Sequence, residues 1–312
     1  MSNLKGFQKK QLLEVYRNMV IARKLDEKEM ALLKQGKAFF HIGCSGHEAA
    51  QLAAANNMHP SKDWAYPYYR DAAFCLGFGM TGKEQLLSFL AKDSDPNSGG
   101  RQMPQHYGHK DLRIVSQSSP TGTQFLQAVG SAMSIKWENK KDIVYVSSGE
   151  GSTSEGEFHE ALNWASREKL PVIFHIQDNE YAISVHVSEQ TSGSSVFSMV
   201  NGYDNLSRYE VDGTNFFETD LAFREAIERA GFEARNLLDY AKRGTTGRLV
   251  NQLVPFWNAR VQGLTRLYEA FRDTPRRTTA MLGAYVAIPT LGFYMLNYDD
   301  EDYRDQPEWL KQ

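Results

Sequence analysis

Apolar residues recur at helical spacing through the first part of the chain. From Leu12 to Met19 they lie mostly three or four positions apart, which places them on one face of a helix. Residues 7–57 are therefore predicted to be mostly helical, with a glycine-rich turn at 43–46. Prolines and glycines punctuate the next segment, 58–125, and predict a loop-rich stretch.

The pattern changes from residue 124 onward, where short apolar runs alternate with helical periodicity. Short buried strands on either side of a helix are typical of a parallel βαβ unit. The chain is therefore predicted to have an α/β fold, with a parallel sheet flanked by helices. The predicted elements are a helix at 124–136, a strand at 143–146, a helix at 154–168 and a strand at 172–176.

Amphipathic helical patterns continue in a third part of the chain, which begins between residues 218 and 235. Within it, residues 278–298 carry no charge and approach the length of a membrane span. Threonine, glycine and tyrosine dilute their apolar character, so a buried helix broken at Pro289 is the favoured interpretation and a membrane span the alternative. Residues 226–312 are predicted to form an all-helical C-terminal tail.

Composition narrows the classes of function. The net charge is −3 and no stripe of lysine and arginine is visible, so no nucleic-acid partner is expected. Cys44 and Cys75 lie far apart without metal-ligand spacing, which favours a reducing compartment over a disulfide scaffold. No signal-peptide pattern is visible at the N-terminus, so a cytoplasmic location is expected.

Polar residues follow both predicted strands of the βαβ unit. Glu150 lies in a glycine-rich run after the first strand, and Asn179 follows the second strand 29 positions later. A right-handed βαβ unit brings the two strand ends to the same edge of the sheet, where ligands of open α/β sheets bind. Their carboxylate and amide oxygens, with the backbone carbonyl of Tyr181, suit Mg²⁺, which often shares its shell with phosphates. The sequence therefore predicts a magnesium site that holds a diphosphate.

The glycine-rich run suits this ligand, although other interpretations exist. Gly149 and Gly151 let the backbone approach closely, and Ser152–Ser154 lead into a helix whose N-terminus favours a diphosphate. An ordinary turn has a similar composition. A dinucleotide fingerprint would need glycine at Ser154, and a zinc motif beginning at His159 would need histidine at Asn163. His159 is therefore interpreted as a residue of a helix face or interface, and His175, inside a strand, as a packed or surface-paired histidine.

The surrounding sequence resembles a thiamine-diphosphate family, the alpha subunit of the E1 component of 2-oxo acid dehydrogenase complexes. The resemblance covers about residues 8–217 and closes with Val211–Asn215, so residues 1–225 are predicted to be one domain with the thiamine-diphosphate-binding fold. The segments that carry the resemblance are GRQMPQHYGHK (100–110), SQSSPTGTQFLQAVG (116–130), GEGSTSEGEFHEALNWA (149–165) and LPVIFHIQDNEYAIS (170–184).

The resemblance implies a set of binding residues. Thiamine diphosphate would be bound by Tyr69, Arg70, Ser119, Thr121, Gly151, Ser152 and Gln177. Mg²⁺ would be held by Glu150, Asn179 and Tyr181, and K⁺ by Ser118, Pro120, Thr123 and Gln124. The family often carries arginine at the position of Gln177, so that contact is expected to be weaker. The same loop is also interpreted as a plain helix N-cap, with serine and threonine before residue 124, and the two interpretations are compatible.

The implied activity is oxidative decarboxylation of a 2-oxo acid with acyl transfer to lipoamide on the E2 component. Glu150, where pyruvate enzymes usually have aspartate, and the 100–110 segment favour a branched-chain substrate, 3-methyl-2-oxobutanoate, over pyruvate. An E1 beta subunit would complete the active site, and a heterotetramer is expected.

The resemblance stops after about residues 217–230. The family continues with a strand and a lid loop that carries a histidine, whereas the last histidine here is His186. Residues 231–312 instead resemble, distantly, helical segments of large phage-encoded multidomain proteins. A catalytically incomplete chimeric or phage-associated fusion is therefore the alternative to an active subunit.

Overall fold

Helices and strands alternate along the part of the chain that the structure describes. This computed structural model describes residues 6–233 and, further along, 268, 270, 272–282 and 284. The helices are α1 (Lys9–Lys34), α2 (Glu48–Asn56), α3 (Ala72–Gly77), α4 (Gly82–Phe89), α5 (Thr123–Trp137), α6 (Gly156–Glu168), α7 (Val187–Gln190), α8 (Val196–Met199), α9 (Phe216–Glu233) and α10 (Pro275–Leu282). The strands are β1 (Trp64–Tyr66), β2 (Val144–Gly149), β3 (Val172–Gln177), β4 (Tyr181–Ala182) and β5 (Val185–His186), and 3₁₀ turns lie at Glu150–Ser154, Ser192–Ser194 and Val200–Gly202.

Three strands form a parallel sheet in the order β1-β2-β3. In the register, Trp64 pairs with Val144, and the last pair of the sheet is Gly149 with Gln177. The carboxyl ends of all three strands therefore lie at one edge, as the βαβ pattern predicted. Strands β4 and β5 form a separate antiparallel hairpin directly after this edge.

Two apolar clusters cover the two faces of the sheet. Val144 and Val146 face the cluster that includes residues of α5 and α6. Tyr145, between them, points to the opposite face and joins the cluster with residues of α2, α3 and α9. There its ring stacks on Phe74 with 4.2 Å between the ring centroids. This alternation is what a parallel strand buried on both faces requires.

The prediction that residues 58–125 are loop-rich was incomplete. The segment contains β1, α3 and α4. Thr81 is the N-cap of α4 and forms a capping box with Glu84. The Thr81 hydroxyl accepts from the backbone nitrogen of Glu84, and the Glu84 carboxylate accepts from the backbone nitrogen of Thr81. The capping box was missed because the many prolines and glycines of this segment predicted loops.

The predicted helix at 154–168 begins later than expected. Its first residue is Gly156, and Glu150–Ser154 form a 3₁₀ turn instead. The backbone amides next to the end of β2 therefore belong to that tight turn. This corrects the prediction that the helix begins at Ser154.

The C-terminal part is described only at α10 and a few neighbouring residues. The chain divides into two compact units between Asn236 and Leu237. The predicted domain boundary at 225/226 instead falls inside the continuous helix α9. No helix among the described residues combines the length and apolar character needed to cross a bilayer. Beyond residue 284, the charge-free segment lies outside the described residues, as does nearly all of the predicted tail.

Candidate diphosphate and metal site

Glu150 lies directly after β2, as the first residue of the 3₁₀ turn. Its side chain is buried, with 2% of the residue exposed. One carboxylate oxygen, Oε2, accepts from the backbone nitrogen of Asn179 at 3.3 Å, but the other, Oε1, is buried without a hydrogen-bond partner among the described residues. Burial raises the pKa of Glu150. A buried acceptor without a partner is unfavourable unless a ligand engages it.

Asn179 is brought to Glu150 by the pairing of β2 with β3. Its side-chain oxygen accepts from the backbone nitrogen of Tyr181 at 3.1 Å, which closes a tight turn before β4. Tyr181 is half exposed, and its strand pairs with His186. The structure therefore brings together the three residues predicted to bind Mg²⁺, although their roles as ligands remain predictions.

The two glycines beside Glu150 have different environments. A Cβ on Gly151 would lie 2.7 Å from the Cβ of Ala182, so glycine is required there by packing against β4. A Cβ on Gly149 would find no atom nearer than 3.9 Å. Ser152, predicted to line the cofactor, is buried, and its hydroxyl donates to the Gly149 carbonyl at 2.9 Å. The backbone thus turns tightly beside an open position at Gly149.

Tyr69 and Arg70 follow β1 and lie at the same edge of the sheet. Arg70 donates from Nη1 to the carbonyl of Gly43 at 2.7 Å. Gly43 lies in the loop between α1 and α2, which Asp26 holds by accepting from the backbone nitrogen of Cys44 at 2.9 Å and the hydroxyl of Ser45 at 2.8 Å. The guanidinium has four other N–H groups for an anion.

The Gln177 side chain is engaged with other side chains of the protein, and these are not the contacts of a residue that faces a cofactor. Its amide nitrogen donates to Asp71, and its oxygen accepts from Gln51 at 2.9 Å and lies 3.0 Å from Nδ1 of His47. Gln51 also donates to the Arg70 carbonyl at 3.0 Å. The predicted cofactor contact of Gln177 stays a prediction, but the side chain serves to connect β3 with the residues around Arg70.

Asp71 is the centre of this buried network, which sequence reasoning missed. It also accepts hydrogen bonds from the hydroxyls of Ser147 and Tyr145. Burial raises the pKa of Asp71 to about 6, although these hydrogen bonds oppose the shift. Tyr145 lies 2.9 Å from Nδ1 of His175, and burial lowers the pKa of that histidine to about 3. His175 also packs edge-on against Phe223, so it is the packed histidine of the two alternatives predicted from its place in a strand.

The predicted potassium loop lies before α5. Thr123 donates its hydroxyl to the Pro120 carbonyl at 3.0 Å, and Gln124 donates to the Ser147 carbonyl at 3.2 Å, which places the loop beside β2. The N-cap of α5 is Gly122, with a φ of 88° and no side-chain cap, so the interpretation as a serine or threonine N-cap was wrong. Ser118 is half-buried, whereas Ser119 and Thr121 are exposed, and the Ser119 hydroxyl lies 3.2 Å from Nε2 of His106.

A second group of candidate metal ligands contacts the loop between α1 and α2. One ligand atom from each of Asp26, Glu29 and His41 falls within 4.8 Å of the others. Glu29 lies 3.0 Å from Nδ1 of His41 and accepts from Gln105 at 3.1 Å. Since these atoms already bond to one another and to the loop, the group serves to anchor the loop that holds Arg70.

A cavity of about 800 Å³ runs along the outer edge of β3 and includes Asn179 and His47. Asn179 lines the cavity, whereas Glu150 is not among its lining residues. The fold and this strand-end site together define the class: an α/β protein with its ligand site at the carboxyl ends of parallel strands.

Comparison with known proteins identifies the family. The family described as the dehydrogenase E1 component matches residues 16–240, more than half of the chain. The chain therefore belongs to the dehydrogenase E1 component family, and membership implies thiamine diphosphate as the cofactor. This confirms the resemblance and the α/β fold predicted from the sequence.

Three similar proteins, from a bacterium, an animal and a plant, are alpha subunits of the same enzyme. The 2-oxoisovalerate dehydrogenase subunit alpha of Bacillus subtilis is 44% identical over 225 residues, which is 72% of this chain and 68% of that relative. The mitochondrial protein of that name from Homo sapiens is 34% identical over 233 residues, 74% of this chain and 51% of the relative. The Arabidopsis thaliana protein is 33% identical over 226 residues, 72% and 47% respectively. The chain thus spans about half the length of the mitochondrial relatives.

Proposed function

We propose that this chain is the alpha half of a thiamine-diphosphate- and Mg²⁺-dependent E1 enzyme that oxidatively decarboxylates a branched-chain 2-oxo acid. The single observation that carries the proposal is the buried, half-unpaired carboxylate of Glu150 beside Asn179 at the sheet edge. Family membership and the names of the relatives support the reaction and the substrate, 3-methyl-2-oxobutanoate.

The donor set fits a magnesium ion. Glu150 Oε1 is a hard oxygen that lacks a partner within the described residues, and Asn179 and Tyr181 add amide and carbonyl oxygens on the adjacent turn. Mg²⁺ prefers oxygen ligands and usually completes its shell with phosphate oxygens and water. A cation at Glu150 would also offset the cost of burying its charge.

The residues of this chain would bind and orient the cofactor. Arg70, held by the Gly43 carbonyl, would pair with a diphosphate oxygen through its remaining N–H groups. The Asp71 network would fix the positions of Arg70 and Asn179 relative to each other, since Gln51 donates both to the Arg70 carbonyl and to Gln177, two positions before Asn179. Thiamine diphosphate bound there would supply the nucleophilic chemistry for decarboxylation of a 2-oxo acid.

Other partners follow from the same proposal. The relatives are named as alpha subunits, which implies an E1 beta subunit, and a heterotetramer and a lipoyl E2 as acyl acceptor are proposed with it. A potassium ion at Ser118, Pro120, Thr123 and Gln124 is proposed on the loop in which the Thr123 hydroxyl donates to the Pro120 carbonyl and Gln124 bonds to β2.

Two measurements test the proposal. Calorimetry of the full chain with its cognate beta subunit should show saturable, Mg²⁺-dependent binding of thiamine diphosphate. Decarboxylation with an artificial electron acceptor should be faster for 3-methyl-2-oxobutanoate than for pyruvate. No cofactor binding would overturn the proposal, binding without turnover would favour a catalytically incomplete fusion, and a preference for pyruvate would overturn the substrate assignment.

A further inference from the structure

Among the residues that the structure describes, the Tyr68 hydroxyl is a buried donor without an acceptor. Tyr68 lies between the end of β1 and Arg70, and only 2% of the residue is exposed. Its hydroxyl forms no hydrogen bond within the described residues. A tyrosine hydroxyl usually has a partner when it is buried, because the unpaired group loses its hydration without compensation.

The surroundings of this hydroxyl point to the diphosphate site. The backbone nitrogen of Tyr68 donates to the hydroxyl of Ser147 on β2 at 3.2 Å, which fixes the residue against that strand. The ring atom Cε2, next to the carbon that carries the hydroxyl, lies 3.9 Å from the place that a Cβ on Gly149 would occupy. Tyr68 therefore packs on the glycine that precedes Glu150.

Within the described residues, two buried polar atoms without partners thus belong to residues next to Gly149, since Tyr68 packs on this glycine and Glu150 follows it in sequence. One is the Tyr68 hydroxyl, a donor, and the other is Oε1 of Glu150, an acceptor. Both residues are close enough to Arg70 to interact with its charge. A cation at the carboxylate and an anionic oxygen at the hydroxyl would satisfy both atoms at once.

We propose that the Tyr68 hydroxyl donates a hydrogen bond to a diphosphate oxygen of the cofactor, beside Arg70 and the cation held by Glu150. The inference rests on the proposed function, since it assigns one more ligand to the same site. A neutral hydroxyl that donates to a phosphate oxygen forms a short, charge-assisted hydrogen bond without adding charge. The hydroxyl is a binding group in the loaded protein and a cost to the stability of the free protein.

The substitution Tyr68→Phe separates these two effects. With the full chain and its beta subunit, the Kd of thiamine diphosphate in the presence of Mg²⁺ should rise by about 10-fold or more. Inorganic pyrophosphate with Mg²⁺, as a second probe, should lose affinity by a similar factor if the contact is to the diphosphate itself. The melting temperature of the cofactor-free variant should be unchanged or higher, because a buried hydroxyl without a partner has been removed.

Tyr66→Phe is the matched control. Tyr66 is also buried, but its hydroxyl lies 2.5 Å from the Ser131 hydroxyl, on the side of the sheet that faces α5. Its loss should lower the melting temperature and leave the Kd unchanged.

The outcomes distinguish this inference from the proposed function. If the wild-type protein binds the cofactor and Tyr68→Phe binds it equally well, the Tyr68 assignment is overturned and the proposed function stands. If Tyr68→Phe only loses stability, as the control does, the residue has a packing role and the assignment is also overturned. If the wild-type protein shows no saturable binding of either probe, both are overturned.

Discussion

Glu150 Oε2 lies 3.3 Å from the backbone nitrogen of Asn179. This contact connects the ends of β2 and β3, although the two residues are far apart in sequence. It uses only one carboxylate oxygen, while the other remains buried without a partner among the described residues. The interaction therefore orients Glu150 and leaves its second carboxylate oxygen for the proposed cation.

Glu150→Gln should strongly weaken Mg²⁺-dependent cofactor binding without destabilising the free protein. The amide removes a charge from the proposed metal shell, so the Kd should rise by about 100-fold or more. Burial raises the pKa of Glu150, so its ionised form opposes folding at neutral pH, and the melting temperature of the free variant should not fall. Calorimetry and thermal unfolding measure the two effects.

Glu160→Gln provides the control for that substitution. Glu160 is exposed on α6 and lies outside the predicted ligand set. Its Kd and melting temperature should match those of the wild type. Equal affinity of Glu150→Gln and Glu160→Gln for the cofactor would remove Glu150 from the metal site.

Gly151→Ala and Gly149→Ala should affect stability differently, although both replace a glycine beside Glu150. A Cβ at 151 would overlap the Cβ of Ala182 at 2.7 Å, so the variant should lose about 1–3 kcal/mol of unfolding free energy. At 149 the nearest atoms lie 3.9 Å away, and the variant should fold as stably as the wild type. Urea unfolding tests this, and an unstable Gly149→Ala or a stable Gly151→Ala would contradict the packing argument.

Asp71→Asn should change how stability depends on pH. The folded pKa of Asp71, about 6, is raised by burial above the ordinary value of 3.8. The stabilising contribution of the protonated group is therefore fully present below about pH 4 and is lost as the pH rises through about 6. Relative to Asp71→Asn, the wild type should lose about 3 kcal/mol of unfolding free energy over that interval. Urea unfolding of both proteins at several pH values measures the difference, and a constant difference would contradict the shifted pKa.

The sequence allowed the central part of the fold, and the proximity of the candidate metal ligands, to be predicted because their signals are local. Two short apolar runs separated by one helix specify parallel neighbours, and the residues after them must then share an edge. Glu150, Asn179 and Tyr181 were found in this way, and the structure brings them together.

The rest of the site depends on contacts between distant segments, for which single residues give no signal. Asp71, Gln51 and His47 form a network with Gln177 only because α2, β1 and β3 meet in three dimensions. Tyr68 was missed for a similar reason. Its neighbours Tyr69 and Arg70 matched a motif, whereas the proposed role of Tyr68 is inferred from the burial of its hydroxyl, which the sequence does not reveal. A residue's hydrogen-bond partners become visible only after the fold is known.

Arg70→Lys should weaken diphosphate binding by about 10-fold or more, because lysine lacks the planar guanidinium that can bond the Gly43 carbonyl and an anion together. Asp26→Asn should weaken it by a smaller factor, since Asp26 acts only by holding the loop that presents that carbonyl. If Asp26 acts by positioning this loop, the double variant should bind no more weakly than Arg70→Lys alone, because the loop contact is already lost.

Arg113→Lys is the control. Arg113 bonds the Lys62 carbonyl at 2.5 Å and Asp142 at 3.2 Å, at the opposite edge of the sheet, so this variant should leave the Kd unchanged. Calorimetric titration of the four variants with Mg²⁺ and thiamine diphosphate measures the coupling, and strictly additive losses would show that Asp26 does not act through Arg70.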